Sequence, residues 1–281
     1  MSLRDISACY SCGSARHSFY AEENGFTLVK CSGCGLLFLA KRPDDDEISE
    51  AQRHGKHGGG EARDATGVFR PDAIPPYMRT LRDLFEGDFD GKETWLDVGC
   101  GQGEFMVAVQ KYSGGRIAVS GSEPNVYKQE AARERGLDIS CFDVGSHEGR
   151  YDVVSLLNVY SHLPDPPAFL VSLKGLLKPG GELFLETGDT ADLPVAAHPR
   201  PFYLPDHLSF ASESIVTGIL ERLGFDILGV RKYPFIRVGP ERFVRELVKA
   251  ALPGYSSKLM SYLRSANRVR TDMFIRARAR E

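Results

Sequence analysis

A strand that ends in three closely spaced glycines constrains this chain more than any other segment. Thr94-Trp-Leu-Asp97-Val-Gly99-Cys-Gly101-Gln-Gly103-Glu-Phe reads as a buried strand that enters a glycine-rich turn and then a helix. Glycine accepts the positive φ that such a turn demands, and its missing side chain lets a ligand approach the backbone closely. From Glu93 onward short β-rich runs alternate with helical patterns, the sign of a parallel sheet with crossover helices. Strands are expected near 94–98, 116–122, 138–142, 151–157, 181–186 and 225–232. Helices are expected near 77–85, 103–112, 125–135, 167–177 and 212–223. The fold class is therefore α/β, a doubly wound sheet whose ligand crevice lies outside the carboxyl ends of its strands.

The loop also excludes ligands. Counting from Gly99, the sixth position of a dinucleotide fingerprint is Glu104, which lacks the glycine needed for close packing and brings a carboxylate toward a pyrophosphate. No Gly-Lys-Ser/Thr follows, so a nucleoside-triphosphate loop fails as well. Composition removes further classes: 42% hydrophobic and 26% charged residues are ordinary for a globular chain. No apolar run approaches the roughly 20 residues of a membrane span. The start, Met-Ser-Leu-Arg-Asp, has no apolar stretch behind a basic one, so a reducing cytoplasmic setting is expected. There, six cysteines argue for metal or thiol roles rather than disulfides.

Cys9-Tyr-Ser-Cys12-Gly and Cys31-Ser-Gly-Cys34-Gly are separated by 18 residues, within the spacing read as a four-cysteine zinc site. Four sulfur ligands leave no open position, so Cys9, Cys12, Cys31 and Cys34 are expected to hold a structural Zn2+ in a ribbon over residues 1–40, where the metal substitutes for a missing core. His17 is read as a surface residue, and Cys100 and Cys141 as small apolar fillers in strand contexts. Residues 41–72, rich in acidic residues and with His54 and His57 beside three glycines, read as a linker or mobile lid.

Asp-Val-Gly-Cys-Gly-Gln-Gly resembles motif I of class I S-adenosylmethionine-dependent methyltransferases, and the downstream order is similar to that family over about residues 77–235. The resemblance implies a Rossmann-like class I methyltransferase sheet that binds S-adenosyl-L-methionine and releases S-adenosylhomocysteine. It places the cofactor against Asp97, Gly99, Gly101 and Gly103. Glu123, followed by Pro124, ends the second strand and would accept the ribose hydroxyls. Asp143 would meet the adenine amine, with Phe142 or Val144 packing on the ring. Asn158 lies where the fourth strand runs into its loop, and Leu177-Lys-Pro-Gly-Gly resembles the turn into the fifth.

Methyl transfer from a sulfonium needs alignment and exclusion of water, and an oxygen, nitrogen or carbon nucleophile must usually lose a proton. Histidine has the unperturbed pKa best suited to that base. His162 follows the fourth strand, and His207 lies in Tyr203-Leu-Pro-Asp206-His207-Leu-Ser-Phe210. This string is similar to one in zinc-ribbon sugar C-methyltransferases, where the matching histidine is the general base, so His207 is the preferred candidate. Tyr203, Tyr160 and Asp206 are candidates to orient a hydroxylated acceptor. The chain lacks the long C-terminal domain of the sugar group, which leaves the acceptor less defined than the base.

The implied activity is methylation of a small molecule, such as a sugar or secondary-metabolite intermediate. A ribosomal RNA guanine-N1 methyltransferase is the main alternative, and a non-catalytic zinc-ribbon scaffold the other. Asp165-Pro-Pro167 superficially resembles an amino-methyltransferase motif but falls beyond the fourth strand and reads as a helix start. Residues 239–281 are expected to be helical: one helix over Glu241–Leu252 and a second with Leu259, Tyr262, Leu263, Ala266, Met273 and Phe274 on one side. They offer a possible homodimer contact. The tail from Lys258 holds seven basic and two acidic residues, so the remaining body is acidic, which argues against broad nucleic-acid binding.

Overall fold

A computed structural model describes residues 2–55, 68–87, 89, 91–234, 240–251 and 270–280. The N-terminal part comprises β1 (Leu3–Asp5), β2 (His17–Glu23), β3 (Phe26–Cys31), β4 (Leu37–Leu39), β5 (Lys41–Pro43) and α1 (Asp45–His54). β2 and β3 form a hairpin in which Glu23 opposes Phe26. Its two turn residues, Asn24 and Gly25, have φ of 55° and 78°. Asn-Gly is the pair best able to adopt that conformation. Gly13 and Gly35, after the two Cys-x-x-Cys pairs, also have positive φ, which glycine adopts at little cost.

The main body continues with α2 (Ile74–Phe85), β6 (Thr94–Val98), α3 (Glu104–Tyr112), β7 (Ala118–Ser122), α4 (Val126–Glu134), β8 (Asp138–Ser140), β9 (Tyr151–Leu157), α5 (Pro166–Gly175) and β10 (Leu177–Gly188). It is completed by β11 (Ser209–Phe210), α6 (Glu213–Arg222), β12 (Phe225–Tyr233), α7 (Pro240–Ala251) and β13 (Asp272–Ala279). The seven-stranded sheet has the order β12-β13-β10-β9-β6-β7-β8. β6 to β10 pair in parallel, and the strand order reverses direction between β6 and β9. α5 starts on Asp165, whose carboxylate accepts the Ala168 N–H at 3.1 Å, so Asp165-Pro166 is a capped helix start as read from sequence.

The C-terminal tail departs from expectation. α7 occupies most of the first expected helix, and residues 252–269 lie outside the described set, but Met273 and Phe274 belong to a strand, not to a helix. β13 wedges antiparallel between β10 and β12. Met273, Phe274 and Ile275 are fully buried, one after another, as a strand covered on both faces requires. Arg276 is buried with them because Glu182 of β10 accepts from its Nε at 2.7 Å and its Nη2 at 3.0 Å. A bidentate carboxylate satisfies a charge that would otherwise be costly to bury.

Alternation along the strands separates two cores. Trp95, Val119, Val153, Phe184 and Phe274 face α2 and α3. Leu96, Val154, Leu156, Leu185 and Ile275 belong to a second core, which also contains Leu28, Val29, Leu37, Phe38 and Cys31 of the N-terminal part. Residues 1–40 therefore have no separate core. β11 extends their sheet in the order β11-β4-β3-β2, with Ser209 opposite Phe38.

Residues 41–55 are not a plain linker but a strand and a helix. Asp44 caps α1 by accepting the Glu47 N–H at 2.9 Å, and Gly55 closes it at φ 67° with its N–H on the Ala51 carbonyl. Asp45, Asp46 and Glu47 fill the first turn, where negative charge complements the helix dipole. His57 and the glycines after it lie outside the described residues.

Candidate active site

The glycine turn leaves β6 with φ of 72°, 57° and 89° at Gly99, Gly101 and Gly103. A Cβ at Gly99 would run into Val159, and one at Gly103 into Leu137. The turn is held from the neighbouring strand: the Ser122 carbonyl accepts the Gly99 N–H at 2.7 Å, and Glu123 Oε2 accepts the Gly101 N–H at 2.7 Å. The other oxygen of Glu123 accepts the Asn125 N–H at 3.0 Å. Beneath the turn, Trp95 Nε1 donates to Ser155 Oγ, which donates to Asp97 Oδ1 at 2.6 Å. Burial pushes the Asp97 carboxyl up to about 7, with Glu123 and Glu104 adding repulsion against the Ser155 hydrogen bond.

A cleft of about 1130 Å³ opens at the carboxyl ends of β6, β7, β9 and β10. Of the residues expected there, Gly99, Glu123, Pro124, Asp143, Val144, Asn158, His162, Tyr203 and His207 line it. Asp97, Gly101 and Gly103, also expected there, are not among its lining residues. Tyr160 is 1% exposed and packs in the core shared with the N-terminal strands, so the expectation that it orients an acceptor is withdrawn. Cys141 is also corrected: it follows β8, is exposed and borders the cleft, while Cys100 is buried as expected.

Sequence reading missed several lining residues. Ser49 and Gln52 come from α1, Tyr77 from α2, Glu186 from the end of β10, and Asp272 and Phe274 from β13. Asn158, at φ 57°, donates from Nδ2 to Glu186 Oε2 at 3.2 Å. Gln52 Nε2 donates to the His162 carbonyl at 3.4 Å, so α1 is tied to the far rim. Six carboxylates line the cleft, Asp72, Glu123, Asp143, Glu186, Asp206 and Asp272, against Arg70 and Lys128. Burial and the Glu186, Asp97 and Asp272 charges keep the Tyr77 hydroxyl protonated.

The opposite wall carries both histidines, their ring centres 4.7 Å apart. His207 Nδ1 lies 2.8 Å from the Phe202 carbonyl and therefore carries the proton, which leaves Nε2 as the lone-pair nitrogen. Burial, reinforced by His162, lowers the His207 pKa to about 4. His162 Nδ1 lies 2.9 Å from the Asp206 carbonyl and 3.1 Å from its carboxylate. Burial works against protonation of His162, but Asp206 outweighs it and raises the pKa. Tyr203, at φ 62°, packs edge-on against His207 at 5.9 Å.

In the N-terminal part, Cys9 Sγ lies 3.6 Å from Cys34 Sγ and Cys12 Sγ 3.5 Å from Cys31 Sγ, and all four lie within 4.8 Å of one another. A tetrahedral zinc with bonds near 2.3 Å would set its sulfurs about 3.8 Å apart, so the four thiols fit that ion. Against the burial that would raise it, N–H groups of Cys34 and Gly33 hold the Cys31 thiol down to about 7, whereas burial pushes the Cys9 and Cys34 thiols up. His17 stands outside this group, exposed, its Nδ1 on the Ala15 carbonyl.

A family profile described as methyltransferase domain matches residues 71–230, more than half of the chain. The ubiquinone biosynthesis O-methyltransferase of Acinetobacter baylyi is 30% identical over 128 residues, 42% of this chain and 53% of that protein. The protein of the same name from Caulobacter vibrioides is 35% identical over 101 residues, 34% of this chain and 40% of its own. The chain thus spans about half the length of the curated relatives it matches. Among solved structures, the cyclase SpnF superposes with a TM-score of 0.53 at 21% identity, covering 83% of this chain and 90% of that one. Magnesium protoporphyrin IX methyltransferase from Synechocystis PCC 6803 superposes with a TM-score of 0.51 at 15% identity, covering 84% and 98%. At these identities the structures speak for the fold alone, and the sheet is the Rossmann-like one expected from the sequence.

Proposed function

The chain belongs to the methyltransferase-domain family, and we propose that it transfers the methyl group of S-adenosyl-L-methionine to a small-molecule acceptor that loses a proton to the His162–His207 pair. The observation that carries this reading is the cleft: six carboxylates and two histidines meet where the strand order reverses. An acidic cleft favours a cationic ligand and repels a polyanion, which supports a sulfonium cofactor and weighs against an RNA acceptor. The name shared by the curated relatives points the same way, to acceptors of small size.

When bound, the cofactor supplies a methyl group already activated by positive sulfur. The chain's own residues do the rest. Glu123 spends one lone pair of each oxygen on backbone N–H groups and keeps others for two ribose hydroxyls. Gly99 allows the backbone to approach, and Asp143, Val144 and Phe142 form the wall for the adenine. His162 is the better resting place for the acceptor's proton, because Asp206 raises its affinity. The acceptor's proton goes to His162 Nε2 while the His162 Nδ1–H stays on Asp206, and His207, neutral at pH 7, lines the same wall. The order of the two histidines thus differs from the one expected on sequence similarity, since the carboxylate stands beside His162.

We further read residues 1–40 as a structural zinc module serving the 73–238 body through the four thiols. No helix among the described residues is long and apolar enough to cross a membrane.

The test is incubation with methyl-labelled S-adenosylmethionine and a cell extract, followed by separation of small molecules, RNA and protein. Label in the small-molecule fraction is expected. Nuclease-sensitive label would replace this reading with the RNA one, and failure to bind S-adenosylhomocysteine at micromolar levels by calorimetry would favour a scaffold.

A further inference from the structure

The histidine wall is held not only by its own loop but also by the tip of the β2–β3 hairpin, about 180 residues away in sequence. Glu23 Oε2 accepts the Phe202 N–H at 2.8 Å and Oε1 accepts the Leu204 N–H at 3.1 Å. Asn24 Nδ2 donates to the Leu204 carbonyl at 2.8 Å. These bonds bracket Tyr203, whose left-handed φ of 62° is unusual for a bulky side chain and persists only where the surroundings over-determine it. The bracketed peptides then hold one member of the pair, His207: the Phe202 carbonyl accepts from His207 Nδ1 at 2.8 Å, and the Tyr203 carbonyl accepts the His207 N–H at 3.1 Å. At the other end of the loop the Leu208 carbonyl accepts the Leu39 N–H, and the Ser161 carbonyl accepts the Leu208 N–H.

We propose that Glu23 is a positioning residue for the proposed base pair: by clamping the Phe202 and Leu204 peptides it fixes the Nδ1–H tautomer of His207 and the place of Asp206 beside His162. This rests on the reading of the histidines as the base. The N-terminal module then acts on the reaction through the hydrogen bonds of its hairpin tip. A carboxylate suits the task because two oxygens accept two N–H groups at once, whereas an amide offers one oxygen and turns an NH2 group toward the second N–H.

Glu23→Ala and Glu23→Gln test it, with two-bond 1H–15N correlation of the histidine rings as the direct readout. The full-length wild type is expected to show the Nδ1–H tautomer at His207. In Glu23→Ala that pattern should give way to a mixture of tautomers, with label transfer to the small-molecule fraction down about 10²-fold, the cost of a misplaced catalytic group. Glu23→Gln should fall about tenfold, in line with the loss of one charge-assisted hydrogen bond. S-adenosylhomocysteine affinity should stay within about twofold in both, since the glycine wall is not involved. An unchanged His207 tautomer and unchanged transfer in folded Glu23→Ala would overturn the proposal. Should that variant lack a cooperative melt, the same result in Glu23→Gln would overturn it. The ring spectrum reports the clamp whatever the histidines do, whereas full transfer by His162→Ala and His207→Ala would overturn the base reading alone.

Discussion

The two walls of the cleft are built in opposite ways. The glycine wall is local: residues 97–105 run from strand through turn to helix, and their main outside partners, Ser122 and Glu123, end the adjacent parallel strand. The histidine wall is assembled from distant pieces, with Glu23, Asn24, Leu39 and Ser161 all holding the 202–208 loop. Local walls are fixed by glycine conformation and tight packing, so a side chain at Gly99 or Gly103 is costly, but they need no second module. The assembled wall depends on contacts whose closure entropy is covered only once the whole fold forms. Cofactor binding and proton removal should therefore fail separately.

The largest separation is expected on the assembled side. His162→Ala should lower methyl transfer by about 10²- to 10⁴-fold, the range a general base contributes, while calorimetric binding of S-adenosylhomocysteine is retained. Loss of binding in that variant would show that the walls are not independent.

The buried carboxyl beneath the glycine turn is next. Asp97 has a folded pKa of about 7 against an ordinary value of 3.8, so the folded state holds its proton more tightly than the unfolded one. Its contribution is favourable at low pH and is lost as pH rises from about 4 to about 7, a span worth at most about 4 kcal/mol. Asp97→Asn should thus gain stability over wild type in chemical denaturation at pH 8 and little at pH 4. His162, raised by Asp206, also loses its contribution as pH rises. His207, lowered to about 4, instead opposes folding only as pH falls below its ordinary range.

Gly103→Ala should cost about 1–3 kcal/mol, because its Cβ meets Leu137 at a φ that L residues avoid. A melting temperature equal to wild type would mean that the packing there yields. The smallest effect is on the contact between modules: Tyr10 Oη and Ser209 Oγ lie 2.9 Å apart, and Ser209→Ala should cost about 1 kcal/mol by denaturant titration.

Local signals account for what was legible. Alternating runs gave β6, β7, β9 and β12 within about two residues, glycine spacing gave the turn, and cysteine spacing gave the four clustered thiols. The tail misled because Met273 and Phe274 sit seven and eight residues beyond Ala266, a spacing that fits a helical face. The continuous apolar run Met273-Phe-Ile275 was the strand signal. α1 carried its caps in plain view, Asp44 and Gly55, yet its acidic composition concealed the one buried position, Ile48. Asn24-Gly25 was readable as a hairpin turn, but nothing local says that Glu23 and Asn24 meet a loop 180 residues on.

By itself, then, the sequence determined the parallel sheet, the turn and residues of the glycine wall, and the cysteine cluster. Each depends on backbone conformations and spacings set within a few residues. Tertiary structure alone decided that β13 enters the sheet between β10 and β12, that the N-terminal strands share the main core, and that Asp206 stands beside His162 while Glu23 clamps the loop before His207. Those are long-range pairings, and their energies exist only when separate segments are brought together and dehydrated in one packed core.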